Sequence, residues 1–114
     1  MTQELWLDWS HYPVAKPTQE AFENYFLRGL APGSFTKAVI CNNFVEACSR
    51  ADHWNSKDDM LKTISKWLYN IAPAGSWGSV QAYEDWMNDV DNRRSEFYDY
   101  HEKKRVWNAL NKKV

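Results

Sequence analysis

From Ser79 to Val114 the chain contains neither Gly nor Pro, and apolar side chains recur there at spacings of three and four: Val80, Tyr83, Trp86, Met87, Val90. That period is helical. It runs on beyond Asp91 through Arg94, Phe97, Tyr100 or His101, Lys104, Trp107 and Leu110. One unbroken helix of about 30 residues would be ~45 Å long, which overhangs a domain of 114 residues. The expectation is a break near Asp89–Asn92 or a projecting arm. Ser79 is placed to cap the helix start.

The preceding segments read the same way. Phe22, Tyr25, Phe26 and Leu30 form one stripe, with Thr18 as expected N-cap and Gly29 through Gly33 as the stop. Ser34 is expected to open a second helix with Phe35, Ala38, Cys41, Phe44, Val45 and Cys48 on one buried face. Met60, Leu61, Ile64, Trp67, Leu68 and Ile71 mark a third, preceded by Ser56 and Asp59 as an approximate capping box and stopped by Pro73 and Gly75. The segment Leu5 to Trp9 alternates like a strand, but no second run exists to pair with it. The fold class that follows is all-α: a single domain over residues 1–114, a compact bundle of four to five helices. Residues 1–17 form an aromatic N-terminal arm, and 93–114 a basic C-terminal helix, long or broken.

Seven Trp, six Tyr and five Phe supply the core material, since each buried ring removes on the order of 150–250 Å² from water. Surplus rings would be left to anchor an interface. No apolar run is long enough to span a bilayer, so no membrane partner is expected. No signal peptide is visible, and two Cys seven apart, read as buried and reduced, fit the cytosol. Net charge is −1, yet residues 1–92 carry seven basic and twelve acidic side chains, while residues 93–114 carry seven basic and three acidic. A basic tail follows an acidic body.

Catalytic and metal patterns fail one by one. His11, His53 and His101 are scattered, with no Cys-x-x-Cys and no His-Glu-x-x-His. Cys48 and His53 are five apart and do not face each other on a helix, so no activated thiol is expected. Asp58-Asp59 and Glu84-Asp85 fall in first turns, where they offset the helix dipole. The expectation is therefore no enzyme, no metal and no cofactor. Two glycines before Ser79 offer an anion-binding loop at Gly75–Ser79, though without the Lys of a P-loop. Arg50 and Asp52 are expected to brace the exit of the second helix as an ion pair.

An ordered series, Pro32-Gly33-Ser34-Phe35, Arg50-Ala51-Asp52, Trp67-Leu68-Tyr69-Asn70, Ala72-Pro73 and Trp77-Gly78-Ser79, resembles short all-α proteins of tailed bacteriophages and prophages. The resemblance covers roughly residues 20–87 and carries no activity with it. It implies a phage origin; taken with the missing catalytic residues and the surplus rings, the expectation is a non-enzymatic phage accessory protein in the cytoplasm of a bacterial host, binding and modulating a host or defence protein as an inhibitor does. Contacts are expected at Trp6, Trp9, Trp54 and Trp77, and along the tail at Arg93, Arg94, Lys103, Lys104, Arg105 and Trp107. Two alternatives stand beside it: nucleic-acid binding through the basic, aromatic C-terminal helix, and sequestration of a small anionic or nucleotide ligand.

Overall fold

The computed structural model describes residues 4–51 and 60–111. Among these residues it is all-helical: α1 Lys16–Arg28, α2 Ser34–Ile40, α3 Phe44–Arg50, α4 Met60–Asn70, α5 Val80–Met87 and α6 Arg93–Asn111, with a 3-10 turn Val90–Asn92 before α6. Six helices replace the four or five expected, and both added breaks have local causes. Asn42 adopts a left-handed conformation at φ 61°, which Asn tolerates better than most residues. Asn43 then caps α3, its side chain accepting from the Glu46 N–H. The expected second helix is thereby split, and Cys41 and Cys48 sit on different helices. Phe44 and Val45, expected on the buried face, are turned outward and exposed. Cys48 is exposed as well, and Cys41 is only half-buried.

The second break falls where it was expected. Asp89, Asp91 and Asn92 all take positive φ, so the chain cannot continue as α-helix through them. Asp89 then caps the new helix, its carboxylate accepting from the Ser95 N–H at 3.0 Å and from the Ser95 hydroxyl. These bonds hold the Asp89 carboxyl below its ordinary pKa. At the other end Ser79 caps α5 as expected, accepting from Ala82 N–H at 3.0 Å. Thr18, by contrast, lies inside α1. That helix starts two residues earlier, with Pro17 in its first turn, where a missing N–H is harmless. The proposed box at Ser56 and Asp59 lies outside the described residues.

The core is aromatic. Phe22, Tyr25 and Phe26 of α1, Trp67 of α4 and Trp86 of α5 are buried together with Phe35 and Ile40 of α2. Their polar atoms are matched to carbonyls of other elements. Trp86 Nε1 donates to the Phe26 carbonyl at 3.2 Å, and the Tyr25 hydroxyl to the Ser76 carbonyl at 2.8 Å. Burial raises the Tyr25 pKa, so the hydroxyl stays a donor.

The N-terminal arm belongs to this core. Glu23 on α1 is fully buried, and its carboxylate accepts from Trp6 N–H at 2.8 Å, Leu7 N–H at 3.0 Å and Trp9 Nε1–H at 2.8 Å. Trp9 stacks on Trp67 with ring centroids 3.9 Å apart, and Trp67 Nε1 donates to the Asp8 carbonyl at 2.9 Å. One buried acid and two interlocked indoles pin an otherwise irregular segment.

Candidate functional site

α6 packs on α1 and on α5 through its first half. At 100° per residue, Arg94, Phe97, His101, Lys104 and Asn108 fall within an arc of about 80° that faces the body and its continuation. Phe97 meets Trp86 edge-on at 5.9 Å. Tyr100, Lys103, Val106, Trp107 and Leu110 occupy the opposite side, within an arc of about 120°. That outer face is solvated: Tyr100 is 61% exposed, Trp107 64% and Leu110 73%. A surface groove of about 420 Å³ runs between Tyr100 and Trp107 over Lys103, Lys104 and Asn108.

The two arginines that open α6 are committed elsewhere. Arg94 donates to the Met87 carbonyl at 2.9 Å and the Trp86 carbonyl at 3.3 Å, closing the C-terminal end of α5. Its guanidinium lies so close to Gly29 that a Cβ there would meet it at 1.8 Å. Arg93 donates to the Ala74 carbonyl at 3.2 Å and lies against Gly75 in the same way. Both were expected on a binding surface, and both instead hold loops, because the kink at Asp89–Asn92 aims the start of α6 back at the chain.

The tryptophans divide similarly. Trp9, expected as a contact residue, is 8% exposed and core. Trp77 is half-buried against the same core. Trp6 is half-buried, with the Arg28 and Arg105 guanidiniums 5.3 and 5.1 Å from its ring and Tyr98 5.2 Å away. Trp54 lies outside the described residues, as does Asp52. Arg50 pairs with Glu46 at 3.5 Å. Trp107 and Lys103 remain outward, and Tyr100, Val106 and Leu110 join them, while Lys104 and Arg105 lie toward the N-terminal arm. Tyr100 and Leu110 carried a signal in the sequence, since the period read beyond Asp91 reaches both, whereas Val106 lies outside that period.

The loop Gly75–Ser79 already commits part of what it could offer an anion. Ser76 N–H donates to the Pro73 carbonyl at 3.3 Å and Gly78 N–H to the Ile40 carbonyl at the end of α2 at 2.7 Å, while Ser76 is fully buried. Among the described residues no three His, Cys, Asp or Glu side chains gather as a metal site. No described helix is long and apolar enough to cross a membrane.

Set against known proteins, the chain matches no family model, no curated sequence and no solved structure. The geometry of α6 therefore carries the functional reading.

Proposed function

We propose that this is a non-enzymatic binding protein that lays the outer face of α6 into a groove on a partner protein. The observation that carries the reading is the solvated stripe Tyr100, Val106, Trp107, Leu110 on a helix that is packed against the core only through Phe97 and Tyr98 near its start. Spacings of seven and three from Tyr100 to Trp107 to Leu110 are those of anchors in helix-in-groove recognition. Trp and Tyr are also the side chains that most often dominate interface energetics. Lys103 within the stripe and Lys104 at its edge call for an acidic rim on the partner.

Size favours a groove over a flat surface. Two rings and two aliphatic side chains bury on the order of 400 Å², about half of what a standard interface buries per partner. A partner that wraps the helix gains more area than one that touches a single side. The resemblance of residues 20–87 to phage proteins supports a partner in the bacterial cytoplasm, a host or defence protein whose activity the binding modulates.

The test is capture of the tagged full chain from nuclease-treated bacterial lysate, beside the Trp107→Ala, Leu110→Ala double variant. A stoichiometric protein recovered by the wild type and lost with the variant supports the reading. Equal recovery by both sinks it. The groove between Tyr100 and Trp107 gives nucleic-acid binding a second hearing, because two rings flanking lysines suit a stacked base and its phosphates. That reading requires affinity that falls steeply with salt.

A further inference from the structure

The inner side of α6 carries a different surface. Beyond Phe97 the helix leaves the core, and the arm residues Glu4, Leu5 and Trp6 run beside it, enclosing a groove of about 410 Å³. That volume lies in the range of small-molecule sites. His101, Lys104, Arg105 and Asn108 line it from α6. At spacings of three and four they fall on one helix face, so an imidazole, an ammonium, a guanidinium and an amide converge on the same space. Among the described residues the single acid that lines the groove is Glu4.

Two of these groups are preset. Arg105 is held over the Trp6 ring at 5.1 Å, which restrains where the guanidinium sits. His101 is wedged edge-on against Phe97 at 4.5 Å and Tyr100 at 5.0 Å. Arg105 is nonetheless weakly engaged as an ion: its partner Glu4 is 3.7 Å away, and both side chains are well exposed. Exposed pairs of this kind contribute little. A doubly charged oxyanion, able to take two parallel N–H bonds from the guanidinium and a third from Lys104, outcompetes one carboxylate for the same donors.

We infer that the arm–α6 groove is a binding site for a phosphate-bearing small ligand, a pyrophosphate or the phosphate end of a nucleotide, gripped by Arg105, Lys104 and His101. Trp6 is not a stacking platform for a base, because guanidiniums lie over its ring from Arg28 and Arg105. Recognition is thus directed at the phosphates. The site shares Lys104 and Asn108 with the groove beside the outer stripe, but none of the apolar side chains Tyr100, Val106, Trp107 and Leu110 lines it.

The experiment is a titration of the isotope-labelled full chain with inorganic pyrophosphate, and separately with ATP, at low salt, followed by amide and indole N–H shifts. Saturable one-to-one shifts centred on residues 4–6 and 101–108 are expected. Lys104→Gln and Arg105→Gln should each weaken binding by about tenfold. Glu4→Gln should tighten it by up to about fivefold, since it removes the competing carboxylate. Lys103→Gln, on the other side of the helix, should change nothing. Shifts that never saturate overturn the inference, as does a Lys103→Gln loss equal to that of Lys104→Gln, which would mean diffuse attraction to a basic helix. A Glu4→Gln variant that binds more weakly would overturn it too. Because Glu4 and Lys104 are both solvent-facing, these variants leave the core intact.

Discussion

Replacing Glu23 with Ala should be the most damaging single change outside the aromatic core. The carboxylate is fully buried and accepts three hydrogen bonds, from Trp6 N–H, Leu7 N–H and Trp9 Nε1–H. Trp6 N–H is only partly buried and can turn to water. The other two donors are buried, and each left unsatisfied costs about 1–3 kcal/mol. Losing the packed side-chain methylenes adds ~1–2 kcal/mol. Against this stands relief from desolvating a charge, the main cause that raises the Glu23 pKa despite its hydrogen bonds. The net expectation is a loss of about 3–5 kcal/mol. Glu23→Gln separates the contributions. Its carbonyl can still accept from Leu7 and Trp9, both bonded to one carboxylate oxygen, and it carries no buried charge. Its amide nitrogen takes the place of the oxygen that accepts from Trp6 N–H, so the variant should lose about 1–2 kcal/mol, less than Ala. Urea unfolding followed by tryptophan fluorescence measures both. An Ala variant as stable as the Gln variant would refute the claim that acceptance of arm hydrogen bonds is what Glu23 does.

Gly29→Ala should destabilise by about 1–3 kcal/mol, from its φ of 64° and from displacement of Arg94. In a double-mutant cycle with Arg94→Ala the two losses should be less than additive, as denaturant titration of all four proteins would reveal. Asp89→Ala should cost ~1 kcal/mol by removing the cap on Ser95, read as a lower melting temperature. Trp107→Ala should leave stability within about 0.5 kcal/mol of wild type, because the ring touches solvent, while binding to a captured partner falls at least tenfold. His101 is half-buried, and burial, then Lys104, lowers its pKa below 6.5. Its contribution to stability is present above that value and lost as pH falls through the folded pKa. Between pH 7.5 and 5 the wild type should therefore lose stability relative to His101→Gln; a flat difference across that window would contradict the assignment.

What the sequence made legible was local. α4 follows from its period, and the Ser79 cap from a small hydroxyl residue before an apolar run. The kink before α6 follows from a cluster of Asp and Asn, which settle readily into left-handed backbone. The break between α2 and α3 was also written locally. Asn43 followed three residues later by Glu46 is a helix start, but the apolar run on either side of it masked the signal. Non-local pairings were not legible at all. Nothing near Glu23 in the chain says that its partners are the backbone of residues 6 and 7 and an indole at 9. Likewise Arg93 and Arg94 look like two more charges in a basic tail until the chain folds and sets each guanidinium over a glycine.

That sorting of arginines and tryptophans sharpens the candidate site. A surplus of rings and a basic tail first pointed to an interface spread over both ends of the chain. The fold takes Trp9 into the core, sandwiches Trp6, and spends Arg93 and Arg94 on loop carbonyls. Phe44, Val45 and Tyr69 are exposed on other helices, but α6 is where outward apolar side chains and cations occur together. The core contacts of α6 end near Phe97 and Tyr98, and its last contacts with the arm are those of Arg105 with Trp6 and Glu4. α6 continues to Asn111, with Trp107 and Leu110 on the outer side and Lys104, Arg105 and Asn108 on the inner one. Exposed apolar side chains on an otherwise solvated helix raise the risk of aggregation, so their retention is best explained by a partner that covers them. The inner cations, aimed at the arm, fit a ligand too small to be that partner.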